Sequence, residues 1–281
     1  LLLWGLLLGA LGFLNTWDLP TFLAIAWLAF ALGRGQGAQP RSVGARDCLT
    51  LGLWMAVGSV LPYLPFYLKL NSQAQGIGLV HYTKTRLAHY LLCLGVWLLP
   101  IAVDAFERLA RWRRQDSPAA RWWTLLRIWA VILLIPWLGT LLVGGWGRTL
   151  LALVSVVMVG PWLLLLLSAL LTALLAVLWH AWYTERDAGL VLSLGLSLVG
   201  VGLTYATEFF YLRDLFDTRM NTMFKVYYQA WVLLGVGAAL AAWRMWRSGG
   251  WRRGALACTG LLVCASFYYP LAAAYTRAEG Y

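Results

Sequence analysis

EFFYLRDLFDTRMNTMFKVYYQAW, residues 208–231, carries Glu208, Arg213, Asp214, Asp217, Arg219 and Lys225 between two long apolar runs. The run before it, AGLVLSLGLSLVGVGLTYA (188–206), holds no charge, and neither does WVLLGVGAALAAW (231–243) at its end. Ionisable residues in such a setting are costly to place and mark a functional site by default. Past Thr218, the residues Asn221, Lys225 and Gln229 recur at every fourth position, which on a helix makes one polar stripe. Met223, Phe224, Val226, Tyr227 and Trp231 cover most of the remaining surface. A membrane helix with a single wet stripe turns it toward a cavity or a partner, so this stretch is the first candidate site.

The rest of the chain sets the class. Of its 281 residues 62% are hydrophobic and 12% charged, against about 25% charged in soluble domains. Apolar runs repeatedly reach the roughly 20 residues that span a bilayer as helix. The expectation is an all-α polytopic transmembrane bundle of about nine membrane helices, some short or broken. The net charge of +11 does not indicate nucleic acid, because the cations gather in short loops between spans, as orientation signals do. Cys48, Cys93, Cys258 and Cys264 show no CxxC spacing, so neither a disulfide nor a zinc site is suggested, no metal ligands are expected, and the sequence leaves any cofactor unknown. The first residue is Leu1, already inside an apolar run; we expect one membrane domain over 1–281, part of a longer chain with an amino-terminal portion before it.

In order, helices are expected at 1–14 and from Pro20 to about Leu32, where Pro suits a first turn and Asp18 can cap it. Further spans are expected at 48–70 (kinked or ended at Pro62 and Pro65), 87–103, 124–143, 190–206, 226–243 and 254–269, with a polar tail after the last. Residues 149–183 contain Gly160-Pro161 and divide into a short interfacial helix and one span. If the arginine-rich loops at 34–46, 104–123 and 244–253 are cytoplasmic, every connection alternates correctly. The NTWD stretch (15–18), the loop 71–85, the segment Glu208–Lys225 and the tail then share the extracytoplasmic face of the cell membrane.

GALGFLNTWDLPTF (9–22), LPFYLKLNSQAQGIGLV (64–80), the 208–231 stretch and FYYPLAAAYTR (267–277) resemble the YYY family of prokaryotic multi-pass membrane proteins. That family is itself similar to the multi-pass glycosyltransferases that use polyprenyl-phosphate sugars. The family's tyrosine triplet and its amino-terminal acidic motifs have no counterpart here. The resemblance implies sugar transfer at the outer face, with membrane lipids and a polyprenyl-phosphate sugar as partners; other membrane subunits are the partners expected of the alternative, a non-catalytic accessory subunit. Such chemistry needs a carboxylate to activate the acceptor hydroxyl and cations to bind the departing phosphate. The candidate catalytic residues are Asp18, Glu208 and Asp214. The candidate substrate-binding residues are Asn15, Trp17, Tyr211, Arg213, Arg219, Asn221, Lys225 and Gln229.

Each candidate also has a structural alternative. Asp18 can serve only as a helix cap, Glu208–Arg213 and Asp214–Arg219 as internal ion pairs, and Lys225 as a snorkelling cation. His81, His89 and His180 fit interfacial positions better than metal ligation, and the arginines of 104–123 fit orientation signals or anionic-lipid contacts. A non-catalytic accessory subunit would use the outer residues in such pairs. A transporter would carry polar residues at mid-membrane depth, of which the chain has few.

Overall fold

The computed structural model describes residues 2–35, 45–72, 74–114, 118–185 and 187–279. Arg41 of the first arginine loop lies outside them. In lipid no water satisfies a backbone N–H or C=O, so the apolar runs close their hydrogen bonds within helices. The helices are α1 (Leu2–Leu14), α2 (Asp18–Gly35), α3 (Ala45–Val60), α4 (Leu64–Lys69), α5 (Leu87–Arg114) and α6 (Pro118–Val159). They continue with α7 (Trp162–His180), α8 (Ala188–Ala206), α9 (Met220–Ser248), α10 (Arg252–Ser266) and α11 (Tyr268–Glu279). Among the described residues, seven helical stretches are long and apolar enough to cross a membrane, and two shorter apolar helices, Leu3–Leu14 and Asp18–Leu32, join them. The architecture is the expected all-α bundle.

Several boundaries differ from the expectation, each for a local reason. A 3-10 turn, Leu61–Tyr63, joins α3 to α4, so Pro62 and Pro65 sit in the first turns of short helices, where a missing N–H costs nothing. Helix α5 runs on to Arg114, past the expected end at 103, and α9 begins at Met220 rather than 226. The tail after 269 is helical, as α11. Helix α6 is interrupted at Gly145, whose φ of 68° favours glycine. A second such glycine, Gly160 at φ 100°, ends it before α7.

The loop 71–85 forms an unexpected element. Ile77–Leu79 (β1) pairs antiparallel with Phe210–Leu212 (β2), in the register Ile77 with Leu212, Gly78 with Tyr211 and Leu79 with Phe210. Gln75 N–Arg213 O, Arg213 N–Gly76 O and Val80 N–Phe209 O extend the ladder at 2.8–2.9 Å. This ribbon ties the loop before α5 to the segment before α9, and it marks one end of the bundle.

The main core lies where α5, α7, α8 and α9 meet, around Leu94, Leu98, Leu167, Leu174, Leu194 and Leu234. A smaller cluster of Leu8, Leu51 and Met55 joins α1 to α3. At the end away from the ribbon, acids and arginines interlock. Asp104 accepts from Arg108 Nε at 3.1 Å and Arg244 Nη2 at 2.6 Å, and Arg244 also reaches Ser193 Oγ at 3.1 Å. Arg108 continues to Glu185 at 3.1 Å, and Arg252 clasps Glu107. These arginines therefore join α5, α8, α9 and α10, in addition to any part in orientation.

Candidate functional site

At the ribbon end the charged stretch divides into a buried brace and an open pocket. The brace centres on Glu208, which is 1% exposed. Its carboxylate accepts from Thr85 N at 3.0 Å, Thr85 Oγ1 at 2.5 Å and Arg219 Nη1 at 3.1 Å. Arg219 also reaches Thr207 O at 3.4 Å and Thr85 Oγ1 at 3.2 Å. Lys84 Nζ donates to Val80 O at 2.9 Å and to the backbone oxygen of Glu208, and lies 5.2 Å from the centre of the Phe209 ring. Burial pulls the Lys84 ammonium down to about 8, against the opposing pull of Glu208.

The ion pairs differ from those the spacing offered. Glu208 pairs with Arg219, and Arg213 pairs with Asp217 at 3.8 Å near the surface. The cause is the path of the chain after β2. Asp214 Oδ1 accepts from Phe216 N at 3.0 Å, an Asx turn, and Asp217 takes a φ of 44°. The chain thereby doubles back and delivers Arg219 beneath Glu208. Tyr211 OH donates to Asp217 Oδ1 at 3.0 Å, and its ring lies over Gly78 of the neighbouring strand. Burial is the main cause that raises this phenol, with the Asp217 carboxylate adding to it.

The polar stripe of α9 meets three different partners. Asn221 Nδ2 donates to Asp214 Oδ2 at 2.7 Å. Gln229 donates to Asp18 Oδ1 at 2.7 Å and Trp17 O at 3.1 Å, and accepts from Thr21 Oγ1 at 2.7 Å. It clamps the start of α2 to α9. Asp18 N bonds Asn15 O at 3.0 Å, so Asn15 closes the corner between α1 and α2. Lys225 Nζ stands 4.5 Å from the centre of the Trp17 ring, and it makes no hydrogen bond or ion pair with a described residue.

Beside Lys225 opens a pocket of about 170 Å³, lined by Trp17, Asn71, Ser72, Asp214, Asn221 and Lys225 among others. It is smaller than the roughly 300 Å³ and upward of pockets for drug-sized ligands, and of a scale for one polar headgroup. Of the three candidate carboxylates only Asp214 lines it; Asp18 lies beyond Gln229, and Glu208 lies within the brace. Of the candidate cations only Lys225 lines it. The sequence reading did not single out Asn71, Ser72, Lys84 or Thr85. Their one signal was the polarity of 71–85, which did not say which of its residues face the 208–231 stretch. Among the described residues no group of three or more His, Cys, Asp and Glu gathers as a metal site would require.

No curated protein and no solved structure matches the chain. Residues 1–234 match the family described as Uncharacterized membrane protein (DUF2298), a span that takes in the first nine helices as far as Leu234 and the whole ribbon-end pocket. With its apolar helices long enough to cross a membrane several times over, the chain belongs to that family of integral, multi-pass membrane proteins.

Proposed function

We propose that the ribbon end is the extracytoplasmic face, and that its pocket receives the phosphate-bearing head of a polyprenyl-phosphate sugar for transfer to an acceptor hydroxyl. The observation that carries this reading is the Lys225 ammonium, without a carboxylate partner among the described residues, in one small pocket with Asp214. Lys225 is the point charge for the phosphate, and Trp17 offers an apolar plane for a sugar ring. A carboxylate has about four lone-pair sites, and Asp214 spends one on Phe216 N and one on Asn221. It retains capacity to accept the proton of an acceptor hydroxyl as the oxygen attacks the sugar carbon. The bond from that carbon to the lipid phosphate then breaks, and the phosphate leaves toward Lys225. Arg219 and Glu208 act one layer behind, holding the loop that presents Asp214 and Asn221.

Donor binding to the full-length protein tests this division. Lys225→Ala should weaken binding of a polyprenyl-phosphate sugar by about 1.5–3 kcal/mol, the worth of a charge-assisted hydrogen bond, with thermal stability retained. Arg219→Ala should instead lower stability by about 3–5 kcal/mol, because it strands a buried carboxylate. Wild-type donor affinity in Lys225→Ala removes the phosphate assignment.

A second reading has its own observation. Glu208, Arg219, Asp18 and Gln229 are all taken up in internal bonds, which is what a non-catalytic accessory subunit of a larger membrane complex would do with them. Retained donor affinity in Lys225→Ala favours this reading.

A further inference from the structure

A long apolar groove of about 820 Å³ lies beside the main core, between α5 and the pair α10 and α11. Its lining on α5 runs from Leu91 to Phe106, joined by Leu170 of α7, Trp231 of α9, Leu262 of α10 and Pro270 of α11. We infer that this groove holds the hydrocarbon chain of a long-chain polyprenyl lipid; naming that lipid, with its phosphate at Lys225, rests on the donor reading above.

Three observations converge on that occupant. The first is chemistry. Among the described residues no charged side chain lines the groove, and its one hydroxyl, Ser266 Oγ, already donates to Val263 O at 2.7 Å. Water would find few partners there, so the lining selects hydrocarbon. No residue of α10 is buried, and the groove opens sideways to lipid. The second is length. From Leu91 to Phe106 the helix advances about 22 Å, at about 1.5 Å a residue. One leaflet contributes about 15 Å of hydrocarbon, half of a core roughly 30 Å thick. The groove therefore passes the midplane, where a phospholipid acyl chain ends, and a single chain that fills it is longer than those of ordinary membrane lipids. The third is the path to the Lys225 pocket. Lys225, Tyr228 and Trp231 stand at every third position of α9, each step turning about 60° around the helix and advancing about 4.5 Å. Lys225 lines the polar pocket, and Trp231 lines the groove with its ring 5.3 Å from that of Trp97. Tyr228, between them, is 66% exposed and offers an aromatic surface to the first isoprene units. A phosphate at Lys225 and a chain laid over Tyr228 into the groove make one continuous course around α9.

The test is photo-crosslinking on the full-length protein in lipid nanodiscs, with a long-chain polyprenyl phosphate that carries a diazirine midway along its chain. Adducts should map to the groove, at Leu92, Leu99 or Leu262. Unlabelled polyprenol, which has the chain and no phosphate, should suppress them, and phosphatidylcholine should not. The double variant Gly95→Phe, Ala102→Phe fills the groove and should weaken binding of the long-chain phosphate at least about fivefold, the lower end of what overpacking costs. Binding of geranyl phosphate, which keeps the head on a short chain, should be unchanged in that variant. The wild-type adduct map decides the matter if the double variant does not fold. The proposal is overturned by adducts spread over the exposed face of α6 at Leu134, Leu138 and Leu142, by equal suppression with phosphatidylcholine (an ordinary acyl-chain site), or by undiminished long-chain binding in the filled variant. Failure of the donor reading is seen separately, as donor affinity retained in Lys225→Ala. Suppression of the adducts by polyprenol involves no phosphate, and its absence overturns the groove assignment alone.

Discussion

A carboxylate withdrawn from water needs hydrogen bonds and an opposite charge, and Glu208 obtains both from residues distant in sequence. Thr85 and Lys84 come from one loop, Arg219 from the turn after β2. Two cations around one carboxylate leave the brace with an excess of positive charge, and its effect on stability depends on pH. Lys84 is held near 8 in the folded protein against 10.5 in the unfolded chain. Between those values the unfolded state binds more protons, so stability rises with pH across the interval and is flat below it. The gain should be on the order of 1–3 kcal/mol. Thermal unfolding from pH 7.5 to 10.5 should show this rise in the wild type and not in Lys84→Met, whatever the variant's overall stability. Parallel curves for the two proteins would contradict the assignment. The stripe of Asn221, Lys225 and Gln229 was legible from its spacing. The partners were not, because Asp214, Trp17 and Asp18 reach α9 from three separate directions.

Between elements, the small residues of α1 decide how closely α3 approaches. A Cβ at Gly9 would lie 2.3 Å from Ser59 O and 2.5 Å from the Tyr63 ring, and one at Gly5 would lie 2.6 Å from Gly58 O. In lipid, where apolar surface gains nothing by leaving the acyl chains, such backbone approach is a main source of helix association. Gly9→Val should therefore lower the thermal stability of the purified protein by about 1–3 kcal/mol or more, the usual effect of overpacking. Gly147→Ala, where a Cβ meets nothing within 4 Å, should be neutral or slightly stabilising. Equal losses in the two variants would dissociate the glycines of α1 from packing. The ribbon of β1 and β2 belongs to the same scale. Three-residue strands carry no periodic signal, and GIGLV (76–80) reads as loop until FFYLR (209–213) lies beside it.

Among the described residues, the ion pairs gather at two ends of the molecule. The ribbon end carries the brace and the Lys225 pocket, and the far end carries the arginine network. The path of the chain is consistent with this. A Cβ at Gly144 would meet the Leu79 side chain at the ribbon, whereas His180 lies against Trp112 at the far end. The arm of α6 from 146 to 159 thus stays near the ribbon end while α7 makes the crossing. The orientation proposed above can be checked in intact cells on a background lacking the four native cysteines. Gln75→Cys should react with an impermeant thiol reagent, and Ser248→Cys should be protected. The reverse pattern would set the Lys225 pocket in the cytoplasm and remove the outer-face donor from its function.

Composition and run length alone determined that the chain is a helical membrane protein. Every long apolar segment has a single way to satisfy its backbone in lipid, and that constraint is local. The same holds for the breaks at Gly145, Gly160 and the prolines, where one residue's φ or missing N–H acts on its own turn. The tertiary structure alone decided which charges brace and which face a pocket. Glu208 could have met Arg213 by spacing, and it meets Arg219 because a turn at Asp214–Asp217 reverses the chain. Asp214 and Lys225 line one cavity because the corner between α1 and α2, the residues Asn71, Ser72 and Ala74, and the start of α9 come together there. Ion pairing depends on distance in space, and distances among separate helices are set by the packing of the whole bundle.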